Sequence, residues 1–189
     1  CSSLSGVYIT DATAWCAIDF ENDLANPLYY AGNLYLNGEL VSEFVIPNSV
    51  TEIGTYVFSG CTSLTSIVIP NSVTEIGAYA FSGCTSLTSI VIPDGVTEIG
   101  TYTFYDCTSL TSIVIPDGVT YIGRYAFSGC TSLTNVVFEN KSGWVAYSRK
   151  SESYSSYTDI SDNDLYNYAT AARFLTTSFD DCFWLREGI

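Results

Sequence analysis

Any chemistry in this chain must come from sulfur, carboxylates or phenols. Its 189 residues hold seven cysteines, 20 acidic residues and 15 tyrosines, but no histidine. The commonest general base and commonest metal ligand are therefore missing. Cys16 and Cys182 lack the partner that makes a papain-like nucleophile. No CxxC pair offers zinc-site spacing. Asp159, Asp162 and Asp164 suggest a calcium loop only faintly, because an EF-hand needs a central glycine and a glutamate at the twelfth position. Helix capping accounts for Asp162 and Asp164. Glu52, Glu75 and Glu98 recur at one interval. They read as a solvated face or a cation-binding stripe, and paired glycosidase carboxylates would need a cleft. Glycines stand singly, never in a phosphate-cradling run. The expectation is no catalysis, no metal and no cofactor.

The remaining cysteines belong to a repeat. CTSLTSIVIP occurs at Cys61–Pro70, Cys84–Pro93 and Cys107–Pro116, and as CTSLTNVVFE at Cys130–Glu139, so the cysteines are 23 residues apart. A fixed interval of this size marks a solenoid. The count of seven excludes a fully paired disulfide framework within one chain. Stacked coils bury the four repeat cysteines as small hydrophobes. Disulfides between adjacent coils are the other reading, but a stack facing one way does not offer their dihedral.

Four regular units follow from the interval: Pro47–Ile69, Pro70–Ile92, Pro93–Ile115 and Pro116–Phe138. In each, residues such as Leu64, Ile67 and Ile69 point to a core. Pro70 ends the strand, and Asn71-Ser72 or Asp94-Gly95 makes the turn. Val73 and Ile76 then point inward, Gly77 permits a tight corner, and Phe81 and Cys84 fill the far side. Strands about 4.8 Å apart build a parallel sheet on one face.

The ends depart from the interval. Cys1–Ile9 fits the register of CTSLTSIVI and predicts an opening strand of the main sheet. A lipidated Cys1 is the other explanation of that end; the register match favours a piece of a longer array. Asp11 predicts a helix over Ala12–Phe20, with Trp15 and Ile18 inward, which Asn26-Pro27 stops. Asn37-Gly38 predicts a hairpin, with Val41–Ile46 as the next strand of the main sheet. After Asn140, GWVAY is strand-like and Ser151–Thr158 reads as loop. Ser161 and Asp164 form a capping-box-like start. Leu165, Tyr168, Ala172, Leu175 and Phe179 then make one helical stripe. This helix, with Phe183-Trp184-Leu185, predicts the lid that a solenoid end requires. The domains are thus an array over 1–138, with an irregular first coil over 1–46, and a cap over 139–189.

The pattern IP-x-x-V-T-x-I-G-x-Y-x-F-x-x-C-T-S-L-T-x-I-x-I over Val41–Phe138 resembles the BspA-like, or treponemal, class of leucine-rich repeats. The resemblance implies a right-handed, mainly β solenoid. It also implies a bacterial cell-surface protein used in adhesion, with no catalytic residue among those shared. The departures are the long first coil, Tyr105-Asp106 in place of Ser-Gly, and Tyr121 in place of Glu.

Formal net charge is −14, which argues against nucleic acid as partner and against attachment to anionic lipid. No apolar run approaches the ~20 residues of a membrane span. Binding falls to outward positions. On the sheet face these are Ser66, Val68, Ser89, Val91, Ser112 and Val114, a bland surface or a weak protein-binding face. The positions that break uniformity are Tyr105, Asp106, Tyr121 and Arg124, with Tyr147, Tyr154 and Tyr157 as an extension. The column Tyr56, Tyr79, Tyr102 and Tyr125 either shields coil edges or holds a sugar. The expected function is a protein- or glycan-binding module on the bacterial surface; the alternative is a spacer without a ligand. The open first coil predicts either self-association with another chain or partial disorder.

Overall fold

The computed structural model describes residues 4–148, 156–178 and 181–187 and winds as a β-solenoid. Three stretches of each coil bond to the next. The first is a parallel five-stranded sheet of Glu43–Val45, Ser66–Val68, Ser89–Ile90, Ser112–Ile115 and Asn135–Phe138. Partners lie one repeat apart, as Phe44 with Ile67 and Ile67 with Ile90. The pleat alternates side chains between faces, so Phe44, Ile67, Ile90, Ile113 and Val136 are buried while Val68, Val91 and Val114 face outward. Prolines then turn the chain: Val50 donates to the Pro47 carbonyl at 3.0 Å, and Val73, Val96 and Val119 repeat the bond.

The second stretch holds two-residue strands, Glu52–Ile53 paired with Glu75–Ile76 and Glu98–Ile99 paired with Tyr121–Ile122. Gly77 and Gly123 follow them. A Cβ at Gly77 would lie 2.6 Å from the Thr55 nitrogen, and one at Gly123 2.4 Å from the Thr101 nitrogen. Close approach of successive coils, rather than a special φ, requires glycine there.

The third stretch is the Tyr-x-Phe turn. Tyr56, Tyr79 and Tyr102 donate to the carbonyls of Ala78, Thr101 and Arg124 at 3.1, 3.1 and 2.9 Å. Phe58, Phe81 and Phe104 donate to Ala80, Thr103 and Ala126 at 2.9, 3.0 and 2.8 Å. The rings of Phe58, Phe81, Phe104 and Phe127 stack in the core at 5.6, 5.6 and 5.2 Å. A fully buried phenylalanine stabilises by about 1.5–3 kcal/mol.

Cys16, Cys61, Cys84, Cys107 and Cys130 are free and buried, and Cys182 is buried as well. The thiols of Cys84, Cys107 and Cys130 donate to the carbonyls of Phe58, Phe81 and Phe104 at 3.2, 3.2 and 3.0 Å. Burial pushes the Cys16 thiol to about 12 and Cys84 well above its ordinary value. Small hydroxyl residues such as Thr65 and Thr88 stand between the strand hydrophobes. Structurally, their hydroxyls rivet coils: Thr65 donates to the Ser42 carbonyl at 2.8 Å and Thr88 to Thr65 at 3.2 Å.

Both ends correct the sequence reading. Val7–Ile9 does not join the main sheet. It pairs in parallel with Leu34–Leu36, the first strand of a hairpin closed by Asn37-Gly38 onto Glu39–Leu40. Both turn residues have positive φ, 53° and 91°, as a type I′ turn demands. The hairpin thus takes the place beside the opening strand. The first helix spans only Ala12–Cys16, and Ile18 is exposed because the helix has already ended at Ala17. Asn26-Pro27 does not end it; Pro27 opens a second short helix, Leu28–Ala31.

At the other end, Trp144–Ser148, Ser156–Asp159 and Phe183–Arg186 are antiparallel strands that extend the second sheet beyond Tyr121–Ile122. The stretch read as loop is therefore a strand from Ser156, and Phe183-Trp184-Leu185 lies in the strand Phe183–Arg186. The helix breaks at Asn167, whose extended backbone and side chain cap a second segment by accepting from Thr170 at 2.9 Å. That break turns Tyr168 outward, while Leu165, Ala171, Ala172 and Leu175 stay buried as the helices Asp162–Tyr166 and Tyr168–Arg173 pack on Asn135–Phe138. Cys1, Tyr154 and Phe179 lie outside the described residues. Among the described residues no helix is long and apolar enough to cross a membrane.

A tyrosine-walled groove as the candidate functional site

The first regular coil poses a backbone problem. In the third stretch each coil donates N–H groups to carbonyls of the next one, so the carbonyls of Thr55, Val57 and Ser59 have no coil before them. The irregular insert supplies the donors. Phe20 donates to Thr55 at 3.1 Å. The fully buried Asn26 spreads its amide over the rest: Nδ2 donates to Tyr56 O at 2.6 Å, Val57 O at 3.4 Å and Ser59 O at 3.5 Å. Its Oδ1 accepts from the Leu28 nitrogen at 2.9 Å. Asn26 thereby seats the helix Leu28–Ala31 against the coil. That helix ends at Gly32, φ +67°, whose carbonyl accepts from the Thr62 hydroxyl at 3.2 Å.

The insert stands beside the tyrosine column and leaves a groove of about 630 Å³ between them. One wall carries Tyr29 and Tyr30, which meet edge to face at 5.2 Å and are 50% and 42% exposed. Asp23 lies on the same side, its helix capped by Asn22 accepting from Ala25 at 3.0 Å. The other wall is the ladder of Tyr56, Tyr79 and Tyr102, continued by Tyr125. Its rings stack at 4.4, 4.6 and 4.8 Å with interplanar angles of 11°, 9° and 25°. Stacking at this distance covers the ring faces, so edges and hydroxyls are what the ladder presents. Of the two sequence readings, edge packing describes these four rings. Each of the four has positive φ, 59°, 57°, 58° and 55°, costing about 1–2 kcal/mol per residue. Aromatic pairs contribute about 0.5–1.5 kcal/mol each, and the inter-coil backbone bonds add to that. Burial raises the Tyr79 phenol to about 12, with Tyr56 and Asp23 adding to the effect. Tyr56 and Tyr102 are raised too, first by burial.

Tyr105 and Asp106 close the groove. Tyr105 sets its ring on Tyr102 at 5.2 Å and 66°. Asp106 has φ 56°, where sister coils place Gly60, Gly83 and Gly129 at 76°, 71° and 79°. An aspartate in a glycine conformation is a local strain that the repeat itself does not ask for.

Tyr121 and Arg124 sit elsewhere. Tyr121 pairs with Leu185 in the sheet, and its ring lies 5.9 Å from Phe183. The Arg124 guanidinium lies over Phe183 at 5.9 Å, and Tyr147 stacks on it at 5.1 Å. Those three side chains dock the tail strand. Arg186 fastens the same strand, donating to the Asp117 carbonyl at 2.6 Å and pairing with its carboxylate at 3.2 Å. Ser66, Val68, Ser89, Val91, Ser112 and Val114 lie on the outer face of the main sheet, with Val68 58% and Val91 73% exposed. Glu52 and Glu75 face each other in register. Burial, and then Glu75 and Asp19, raise the Glu52 carboxyl. Among the described residues no three Cys, Asp or Glu side chains converge as metal ligands.

Sequence reasoning missed Asp23, Asn26, Tyr29 and Tyr30. Only their aperiodic position and the Tyr-Tyr pair marked them. The sequence places them dozens of residues from the ladder they face.

The model of the BspA-type leucine-rich repeat region matches residues 32–148 in six copies. The leucine-rich repeat protein TpLRR of T. pallidum is 33% identical, with TM-score 0.51, over 70% of this chain and 53% of its own. A leucine-rich cell surface protein of Faecalibacterium prausnitzii shares the fold at 24% identity and TM-score 0.51, over 73% of this chain and 48% of its own. The pneumococcal vaccine antigen PcpA shares it at 20% identity and TM-score 0.52, over 57% and 31%. This chain therefore spans about half the length of the T. pallidum protein. No curated protein matches it. With repeat, register and glycine corners in place, the chain belongs to the BspA-type leucine-rich repeat family.

Proposed function

We propose that this segment is a non-catalytic binding module of a bacterial cell-surface protein, engaging a protein or glycan on a host or neighbouring microbe. The observation that carries the reading is the groove. It is concave, rich in tyrosine, and built where an aperiodic insert meets the two residues that break the repeat. Aromatic anchors in pockets are where binding energy concentrates. That the F. prausnitzii neighbour is a cell surface protein supports the location.

The test is retention of host matrix proteins and glycans on the immobilised segment. Tyr105→Ser restores the sister-coil residue, and Tyr29→Ala removes the opposite wall. Both should lower retention while the circular dichroism spectrum is unchanged. Retention that ignores both substitutions rules the groove out. A ligand-free spacer is the second reading, favoured by the ladder itself, whose ring faces are spent on one another. It predicts no retention by this segment at all.

A further inference from the structure

The groove has a charge as well as a shape. Its charged lining residues are Asp23 and Asp106, and no lysine or arginine lines it. Neither carboxylate forms an ion pair among the described residues. Arg124 stands outside this lining. Its charge is felt at Tyr102, but it lies over Phe183, beyond the groove.

Resting on the binding-module reading, we propose that the groove takes a cationic segment of a protein partner, seating a lysine or arginine side chain against the exposed rings of Tyr29 and Tyr30 and between the carboxylates of Asp23 and Asp106. Four observations converge. The accessible ring faces are those of the insert, since the ladder covers its own, and a π face attracts a cation. The row of hydroxyls from Tyr56, Tyr79 and Tyr102 along the groove offers neutral phenol oxygens as acceptors, as any phenol is neutral at pH 7. Asp106 occupies a conformation that every sister coil gives to glycine, so the charge is placed there against local preference. The surrounding chain, at −14, draws cations and repels acidic sugars. Asp23 accepts from the Leu24 nitrogen at 2.8 Å, which leaves its charge uncompensated; a neutral sugar would use the rings but gain little from two carboxylates without cations, and a basic peptide uses both.

Isothermal titration of the whole segment tests this with three probes: a short lysine- and arginine-bearing peptide, its glutamine counterpart, and a neutral N-acetylglucosamine oligomer. The basic peptide should bind more tightly than the glutamine peptide. That preference should fade towards about 1 M salt, where the Debye length is about 3 Å. D23N with D106N keeps the side-chain shapes and the caps and should weaken the basic peptide roughly three- to tenfold. E52Q with E75Q removes the same charge outside the groove and should leave its affinity unchanged. Equal weakening by both pairs would mean diffuse attraction to an acidic protein and would overturn the proposal. So would equal binding of the basic and glutamine peptides. Capture of the oligomer, lost in Tyr29→Ala, would overturn the cationic partner yet leave the groove as the binding site. No probe bound, with the fold intact, would also overturn the cationic assignment; whether the groove binds anything is read separately from the retention test with Tyr105→Ser.

Discussion

Asn26→Ala is the sharpest single perturbation of the N-terminal coil. Asn26 is fully buried and makes two short bonds, 2.6 Å to Tyr56 O and 2.9 Å from Leu28 N, besides long ones to Val57 O and Ser59 O. A made hydrogen bond contributes about 0.5–1.5 kcal/mol, and a buried group left without one costs about 1–3 kcal/mol. Tyr56 O keeps its bond from Ser59 N at 2.8 Å, so its loss is partial. Leu28 N and Val57 O lose the partners described for them. The expected destabilisation is therefore about 2–4 kcal/mol. In a solenoid each coil is held by its neighbours, so the loss should stay local. Hydrogen exchange should accelerate over residues 26–32 and 55–61, while the coils ending at Leu110 and Leu133 keep their protection. Asn26→Asp separates this account from a simple packing defect. It nearly conserves volume but turns a donor into an anion facing three carbonyls, so it should destabilise more than alanine at neutral pH and recover when acid protonates it. A loss below about 0.5 kcal/mol in Asn26→Ala, or an exchange change spread evenly over all coils, would refute the capping role.

Gly123→Ala should destabilise by about 1–3 kcal/mol, read by urea unfolding, because its Cβ would stand 2.4 Å from the Thr101 nitrogen. Native protein at neutral pH should resist thiol-directed alkylation at Cys16, Cys84 and Cys107, with labelling appearing only as the chain unfolds in urea, since the thiolate rather than the thiol reacts and burial raises the first two while the Cys130 thiol does so for Cys107. Glu52 carries a raised carboxyl, so the folded state binds its proton more tightly than the unfolded chain does. Stability from this group therefore increases as pH falls through the raised value and is lost above it. Glu52→Gln should flatten that part of the pH–melting curve. Arg186→Ala should free the last strand, measured as faster proteolysis after residue 181, because its guanidinium ties that strand to Asp117.

What could be read from the sequence divides along periodicity. The core positions Leu64, Ile67, Ile69 and Phe81 were legible because each is repeated at one interval, and the repeat averages away local ambiguity. The Asn37-Gly38 turn was legible because its residues have a conformational requirement that few others meet. The place of Val7–Ile9 was not. Its register fits the main sheet, but register says nothing about which strand lies beside it, and the hairpin strand Leu34–Leu36 takes that place. The tail helix failed at Asn167 because one apolar stripe can be drawn through a break when the capping side chain is itself polar and exposed. Asp23 and Tyr29 were invisible as site residues, since their neighbours in space are set by Asn26, a long-range amide bridge that has no sequence signature.

The groove's position follows from the physics of the repeat. A regular solenoid side is a ladder, and a ladder of identical rings uses its faces on itself. Concavity and accessible aromatic faces therefore arise where something aperiodic stands against the ladder. This chain already needs such an element to satisfy the carbonyls of its first regular coil. The insert that answers that need brings Tyr29, Tyr30 and Asp23 with it, and the coil that faces it across the groove is the one whose Ser-Gly has become Tyr105-Asp106. Pairing the carbonyls of the first regular coil and walling the groove are thus met by one segment. The corollary is testable: replacing Tyr105-Asp106 by Ser-Gly should leave or raise stability, because the αL strain of Asp106 is relieved, and should lower ligand retention. A double variant that loses stability along with retention would show that these two residues serve the coil rather than the groove.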